Sequence, residues 1–204
     1  MQLIGRTLSP FVRRVALAMD LGGIPYEQLA LSTANDADKI KEFNPLSRVP
    51  ALVLDSGERI IDSAAILDYL DGVIPAERAI TPPHGADRRL AMMFEALMLG
   101  AAEKAISGFY ETFRKPADKH HMPFVEGCMA QCHAGLATVE SMLNTGQTIA
   151  VGSKPTRADI AIVAVVSFLE ALPKIPVAPS YPKLGALAAA LEARPEVAKS
   201  QFKG

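Results

Sequence analysis

Residues 1–31, MQLIGRTLSPFVRRVALAMDLGGIPYEQLAL, predict a strand, a helix and a second strand in close succession. Gln2–Ile4 is a short apolar run, and Ser9-Pro10 opens a helical stretch that ends at Gly22-Gly23. A serine N-cap, a proline in the first turn and a glycine past the last turn are typical helix boundaries. Tyr26–Leu31 is the second strand. This order implies two parallel strands joined by a right-handed crossover.

The α/β pattern covers the first 75 or so residues. Asp36–Phe43 is a short polar helix that stops at Asn44-Pro45. Ala51–Leu54 and Arg59–Ile61 flank a turn over residues 55–58, and together they predict an antiparallel hairpin. Ser63–Leu70 is helical again. The order βαβαββα predicts a small mixed sheet with helices on its faces.

The second part of the chain has only helical patterns. Ile74–Gly85 contains three prolines and little periodicity, which is typical of an interdomain linker. Five helical stretches follow, over residues 88–113, 122–143, 157–172, 183–193 and 196–202. These predict an all-α bundle. We therefore divide the chain into an α/β domain of residues 1–77, a linker of residues 78–86 and an all-α domain of residues 87–204.

Composition and charge exclude several classes of protein. Half of the 204 residues are hydrophobic, which excludes a disordered chain, and the net charge of −1 gives no field that attracts nucleic acid or an anionic membrane. The longest uncharged apolar segment, Ile160–Leu169, is about half a membrane span. Two cysteines make no disulfide framework, and the N-terminal residues lack the pattern of a signal peptide. We expect a soluble cytoplasmic protein.

Three stretches of the α/β part could carry chemistry, and each also has a plain structural interpretation. Ser9 is either a helix cap alone or a hydroxyl that donates to an anion at a helix N-terminus. Val49-Pro50 either starts an edge strand or forms a cis turn whose backbone pairs with an extended ligand. Asp62-Ser63 either caps a helix or binds the amino and carboxylate groups of an amino acid.

The helical part contains one motif that we interpret as structural. Thr156-Arg157-Ala158-Asp159 precedes an apolar run and matches a capping box, with Asp in place of the usual Glu. Cys128 and Cys132 lie four residues apart, beside His133, but a zinc site needs three or four ligands. We interpret the two thiols as packed side chains and predict no metal site. Arg13 and Arg14 are expected on a solvated helix face.

The long helical stretch over residues 88–113 is apolar on more than one face. Leu90, Met93 and Leu97 follow one helical row, whereas Met92 and Leu99 lie off it. Surface helices usually have a single apolar stripe. Either the bundle buries all of these residues, or some of them form a subunit interface.

Four motifs in this order resemble those of the cytosolic glutathione transferases. They are S-P-F-V-R, N-P-x-x-R-V-P-A-L, D-S-A-A-I-L and P-T-R-A-D-I-A, and the resemblance covers nearly the whole chain. It implies a serine-type, bacterial-like member of the family. The implied fold is a thioredoxin-like α/β domain that binds glutathione, followed by an all-α helical bundle. The family is typically dimeric and needs no metal.

The resemblance also implies roles for individual residues. Ser9 matches the serine whose hydroxyl bonds to the glutathione sulfur, and Pro50 matches the cis-proline of the family. Val49 matches the residue whose backbone pairs with the cysteinyl part, and Arg48 a position that reaches the glycyl carboxylate. Asp62 and Ser63 match an acidic-Ser pair that holds the γ-glutamyl head. Thr156 and Asp159 match the structural capping box.

The implied activity is a detoxifying addition of glutathione to a small hydrophobic electrophile. The electrophile is expected between the domains, near a set of apolar residues that could equally be plain packing: Leu8, Phe11, Phe109, Tyr110 and Phe113. Asp62 is shorter than the usual Glu, and position 9 is not a cysteine, which disfavours the thiol-reductase branch. The alternatives are a non-catalytic glutathione-binding adaptor and a glutathione-dependent peroxidase or dehalogenase.

Overall fold

The computed structural model, which describes residues 1–201, contains a four-stranded sheet with the order β2-β1-β3-β4. Strand β1 (Gln2–Ile4) is parallel to β2 (Glu27–Leu29) and antiparallel to β3 (Ala51–Val53). Strand β4 (Arg59–Ile60) is antiparallel to β3. The predicted mixed sheet, with one parallel crossover and one hairpin, is confirmed.

Three helices accompany the sheet. They are α1 (Pro10–Gly22), α2 (Ala37–Lys41) and α3 (Ser63–Val73). Ser9 caps α1, and Gly23 follows its last turn in the left-handed conformation with φ of +70°. One apolar cluster beneath the sheet consists of Ile4, Leu31, Ile40 and Ala51, so β1, α2 and β3 share a core.

The second part of the chain is all-α, as predicted. Its helices are α4 (Gly85–Phe113), α5 (Met122–Met142), α6 (Arg157–Ala171), α7 (Val177–Ser180) and α8 (Pro182–Glu192). Helix α6 is almost completely buried, which explains why its sequence is apolar on every side. Helix α7 was not predicted, because four residues are too few for a periodic signal. Within residues 1–201, no helix combines the length and apolar character that crossing a membrane requires.

The chain forms two compact units whose limits differ from the expected ones at the C-terminal end. One unit is residues 1–83 together with the described residues from Glu192 onward, and the other is His84–Leu191. The helix predicted over residues 196–202 is a 3-10 helix over Pro195–Ser200 that packs on α1, and Phe202 lies outside the described residues. The expected linker is also packed, since Ile80 and Thr81 are buried and Thr81 Oγ1 donates to Asp71 Oδ1 over 2.7 Å.

One expectation about side-chain exposure is wrong, and one of the two alternatives for α4 is excluded. Arg13 and Arg14 do not lie on a solvated face, because each is only 2% exposed. The bundle does not bury the whole apolar surface of α4 either, because Leu90, Met92 and Met93 remain 36–49% exposed. A charged pair or an apolar row can be recognised from a short stretch of sequence. Whether that surface is buried depends on segments that are distant along the chain.

Candidate functional site

The register of the sheet brings three predicted segments to the same end of the strands, which we call the site end of the sheet. Ile4, the last residue of β1, pairs with Ala51, the first residue of β3, because these strands are antiparallel. Ile60, at the end of β4, pairs with Leu52. Three segments therefore lie at the site end: the loop after β1, the loop before β3 and the junction after β4. They contain Ser9, Val49-Pro50 and Asp62-Ser63 respectively.

Gly5 permits this approach and was missed by the sequence analysis. It adopts a φ of +121°, and a Cβ built on it would lie 2.6 Å from Val12 Cγ2 and 2.8 Å from Val49 Cβ. The start of α1 and the loop before β3 thus meet across a residue without a side chain. The only sequence signal was a glycine directly after the first strand.

Ser9 is the N-cap of α1 and is half-buried. Its Oγ accepts a long hydrogen bond from Val12 N, at 3.4 Å, which leaves the hydroxyl proton available for another acceptor. The first turn of α1 holds no acidic residue. The N–H groups of this turn give the helix end a partial positive charge, so a thiolate or other anion beside Ser9 would be stabilised.

The loop before β3 is held by a buried asparagine that sequence reasoning interpreted only as a helix stop. Asn44 is 2% exposed, its Nδ2 donates to Arg48 O over 2.9 Å, and its Oδ1 accepts from Leu46 N over 3.0 Å. The Val49–Pro50 peptide bond is cis, as the resemblance implied. Val49 is half-buried against the apolar cluster, whereas the Arg48 side chain is exposed.

Asp62 and Ser63 lie at the start of α3. Asp62 is the N-cap, and its Oδ1 accepts from Ala64 N over 2.9 Å. Its side chain is exposed, so the second carboxylate oxygen can accept from a ligand, whereas Ser63 is buried. The capping interpretation of this pair is confirmed, and binding of an amino-acid head group stays a prediction.

The residues predicted for the electrophile belong to different compact units, Leu8 and Phe11 to the first and the other three to the second. Leu8 and Phe11 are half-buried residues beside Ser9 in sequence. On α4, Phe109 and Phe113 stack with their ring centres 4.9 Å apart, and the Arg114 guanidinium lies 4.1 Å from the centre of the Tyr110 ring. Phe113 is 66% exposed, so this aromatic row is not interior packing.

The predicted capping box of α6 is present. Asp159 Oδ2 accepts from Thr156 N at 2.8 Å, and Thr156 Oγ1 accepts from Ala158 N at 3.3 Å. Asp159 Oδ1 also accepts from Ala150 N at 2.6 Å, which fastens the preceding loop. Asp159 is fully buried, and this burial raises the pKa of its carboxyl group.

The two cysteines are buried free thiols, as interpreted. Burial raises the pKa of Cys132 to about 11, so its reactive thiolate form is scarce at neutral pH. In the described part of the chain, no group of three or more His, Cys, Asp or Glu side chains is arranged to hold a metal ion.

Comparison with known proteins identifies the family. The model of the glutathione S-transferase N-terminal domain matches residues 3–77, and that of the glutathione S-transferase C-terminal domain matches residues 101–200. The chain belongs to the glutathione S-transferase family. It is similar to the GST-like protein YibF of Escherichia coli K12, with 29% identity over 119 residues, or 58% of each chain. A probable glutathione S-transferase of Nicotiana tabacum is 27% identical over 109 residues, which cover 53% of this chain and 48% of the tobacco protein. The chain thus spans about half the length of these curated relatives.

Solved structures of glutathione S-transferases share the whole fold. One from Methylobacterium radiotolerans, in complex with glutathione sulfonate, has a TM-score of 0.90 at 28% identity, over 98% of this chain and 93% of that one. One from Methylobacillus flagellatus KT, with glutathione bound, has a TM-score of 0.88 at 24% identity and covers 98% of each chain. The second likeness shows the fold alone.

Proposed function

We propose that this glutathione S-transferase binds glutathione at the site end of the sheet and stabilises the glutathione thiolate beside Ser9. The protein then adds the bound glutathione to a small hydrophobic electrophile. One observation carries the proposal. The Ser9 hydroxyl lies at the amino end of α1, and its proton is not used by the helix cap. A hydroxyl proton at the positively polarised amino end of a helix favours a bound anion.

The energies involved are sufficient. A thiol has an unperturbed pKa of about 8.5, so little of it is ionised at neutral pH. A fall of about two units needs roughly 2.7 kcal/mol of preferential thiolate stabilisation. A hydroxyl that donates to a charged acceptor contributes about 1.5–3 kcal/mol, and a helix N-terminus about 0.3–1 kcal/mol. Glutathione would then be the nucleophile in an addition or displacement reaction.

The remaining proposed contacts with glutathione involve residues at the same end of the sheet. Backbone groups of Val49 would pair with the cysteinyl part in the manner of an added strand. The exposed Arg48 would reach the glycyl carboxylate. The exposed Asp62 carboxylate would accept a hydrogen bond from the amino group of the γ-glutamyl residue, and Ser63 would contact the α-carboxylate of the same residue. Family membership and the glutathione sulfonate complex of a structural relative support this assignment.

The electrophile is proposed to be apolar and partly aromatic. Phe109 and Phe113 form a stacked pair on α4, and the high exposure of Phe113 leaves it available to a flat apolar molecule. Tyr110, on the same helix, would offer a hydroxyl to that molecule. We further propose that the protein acts in detoxification in the cytoplasm and that it forms a homodimer. The dimer is proposed because α4 carries an exposed apolar row.

A two-part experiment tests the proposal. Calorimetry with reduced glutathione measures binding, and a conjugation assay with a chloronitrobenzene measures turnover of the wild type and of Ser9→Ala. We expect binding by both proteins and turnover that falls at least about tenfold in the variant, which corresponds to 1.4 kcal/mol. Binding without turnover on several electrophile classes would favour an adaptor, and turnover of a hydroperoxide alone would favour a peroxidase. Absence of binding at millimolar glutathione would overturn the proposal.

A further inference from the structure

Arg13 is a buried cation that the proposed chemistry does not use. It is 2% exposed and is among the largest fully buried side chains of the described chain. Its Nη2 donates to Oε1 of Glu192, the last residue of α8. The two residues are 179 positions apart, so the ion pair joins the second turn of α1 to the segment that begins at Glu192.

The same C-terminal segment contacts α1 and its surroundings at two further points, Tyr26 and Asp20. Lys199 Nζ donates to Tyr26 O over 2.8 Å, and within the segment itself Gln201 Nε2 donates to Glu192 O over 2.9 Å. Lys199 also lies 3.7 Å from the centre of the Tyr26 ring. Asp20, in the last turn of α1, faces Ser200 of this segment. The segment thus contacts α1 near both of its ends.

Arg13 is directly connected to the serine. Arg13 N donates to Ser9 O over 2.9 Å, which is the first hydrogen bond of α1, and Val12 N is the donor to Ser9 Oγ. A rotation of the first turn would therefore move the serine hydroxyl. Because the Arg13 side chain is tied to Glu192, the ion pair resists that rotation.

The pair is poorly built for stability alone. Arg13 Nε and Glu192 Oε2 are buried and have no hydrogen-bond partner within residues 1–201. Glu192 is 27% exposed, so the pair is only partly buried. The cost of removing the Arg13 charge from water offsets much of what such a pair gains, and the two unsatisfied atoms add to that cost. A directional contact, in contrast, fixes an orientation that apolar packing does not.

We propose that Arg13 is a positioning residue. Its ion pair with Glu192 fixes the first turn of α1 and aims the Ser9 hydroxyl at the glutathione sulfur. The proposal rests on the proposed function, since it concerns the same thiolate. It adds that the C-terminal segment, which contains no proposed ligand contact, controls the ionisation of the bound thiol.

Two readouts test this proposal on the full chain. The first is the hydrogen-exchange rate of the Val12 and Arg13 amides in the ligand-free protein. The second is the pH midpoint of thiolate absorbance with glutathione bound, together with kcat and KM. The variants are Glu192→Gln and Arg13→Lys. Glu196→Gln is the matched control, because it removes a surface ion pair with Arg194 from the same segment.

We expect Glu192→Gln to speed exchange of the two amides and to raise the thiol midpoint by about half a unit, equivalent to about a threefold loss of thiolate below the midpoint. Measured at a pH below both midpoints, kcat should fall by a similar factor, while KM for glutathione changes little. The thiol midpoint of Arg13→Lys should lie between those of the wild type and Glu192→Gln, because lysine keeps the positive charge. Glu196→Gln should match the wild type in every readout.

A double variant covers the case in which a single one fails to fold. Arg13→Met with Glu192→Met removes both charges and should recover stability. We still expect fast exchange and a raised midpoint, because the apolar contact has no preferred direction.

Each of three results would overturn the proposal. In the first, Glu192→Gln lowers the melting temperature but leaves exchange and midpoint at wild-type values. In the second, Arg13 variants shift the midpoint and Glu192 variants do not, so that Arg13 acts on the ligand itself. In the third, the wild type binds no glutathione, which also overturns the proposed function. The first two results leave the proposed function intact if Ser9→Ala still shifts the midpoint.

Discussion

Side chains that cap helices recur at the candidate site. Ser9 Oγ accepts from Val12 N, and Asp62 Oδ1 accepts from Ala64 N. Each cap uses only part of the side chain, because serine keeps its proton and aspartate keeps a second oxygen. A residue that orders its own helix can therefore also contact a ligand. This dual use explains why the capping and binding interpretations of the same sequence were not exclusive.

Replacement of Asp62 by asparagine separates its two roles. Asparagine caps a helix about as well as aspartate, so the free energy of unfolding should change little. The variant lacks the charge that would pair with the γ-glutamyl amino group. A lost charge-assisted hydrogen bond costs about 1.5–3 kcal/mol, so the dissociation constant for glutathione should rise at least about tenfold by calorimetry.

Asp68→Asn is the control for that variant, since Asp68 is an exposed carboxylate on the same helix. We expect wild-type affinity from it. Equal affinities for wild type and Asp62→Asn would remove Asp62 from the glutathione site.

At the scale of elements, the close approach at Gly5 joins β1, α1 and the loop before β3. Gly5→Ala would force a Cβ into Val12 and Val49 and impose a φ of +121° on alanine. We expect a loss of roughly 2 kcal/mol or more in urea unfolding. Gly57→Ala is the matched control, because Gly57 also has a positive φ, +88°, but nothing lies within 4 Å of its added Cβ. A loss no larger than that of the control would contradict the crowding.

The α6 capping box makes a pH-dependent prediction. Burial raises the pKa of Asp159 above its ordinary 3.8, so the folded state binds the proton more tightly than the unfolded state. The stabilisation from this group is full below pH 3.8 and is lost as pH rises through the folded pKa. The unfolding free energy of the wild type relative to Asp159→Asn should therefore fall across that window in urea titrations. A relative stability that rises with pH would contradict this sign.

How far the sequence predicts each element depends on the range of the interactions involved. The caps at Ser9, Asp62 and Thr156 were found because a cap and its helix are neighbours in sequence. The burial of Arg13 was missed because Glu192, which covers it, is distant in the chain. The role of Asn44 was missed because its loop contacts depend on the turn at Ser47, where φ is +52°. The cis bond at Val49–Pro50 was expected from the family resemblance and not from propensity.

At the scale of the whole molecule, the exposed row on α4 bears on assembly. Leu90 and Met93 lie on one helical row, and Met93 is 49% exposed. Apolar rows of this kind on a single chain commonly mark an interface. Met93→Glu should shift the protein from dimer to monomer in sedimentation velocity, because a buried unpaired charge opposes association. Lys104→Glu, an exposed change on the same helix, should leave the dimer intact. A monomeric wild type would contradict the proposed assembly.

The most direct test is a pH titration of thiolate absorbance with glutathione bound, in the wild type and in Ser9→Ala. The wild-type midpoint should lie well below the thiol's ordinary value of about 8.5, and the variant should still bind but with its midpoint moved back toward that value. Equal midpoints in the two proteins would show that the Ser9 hydroxyl does not stabilise the thiolate.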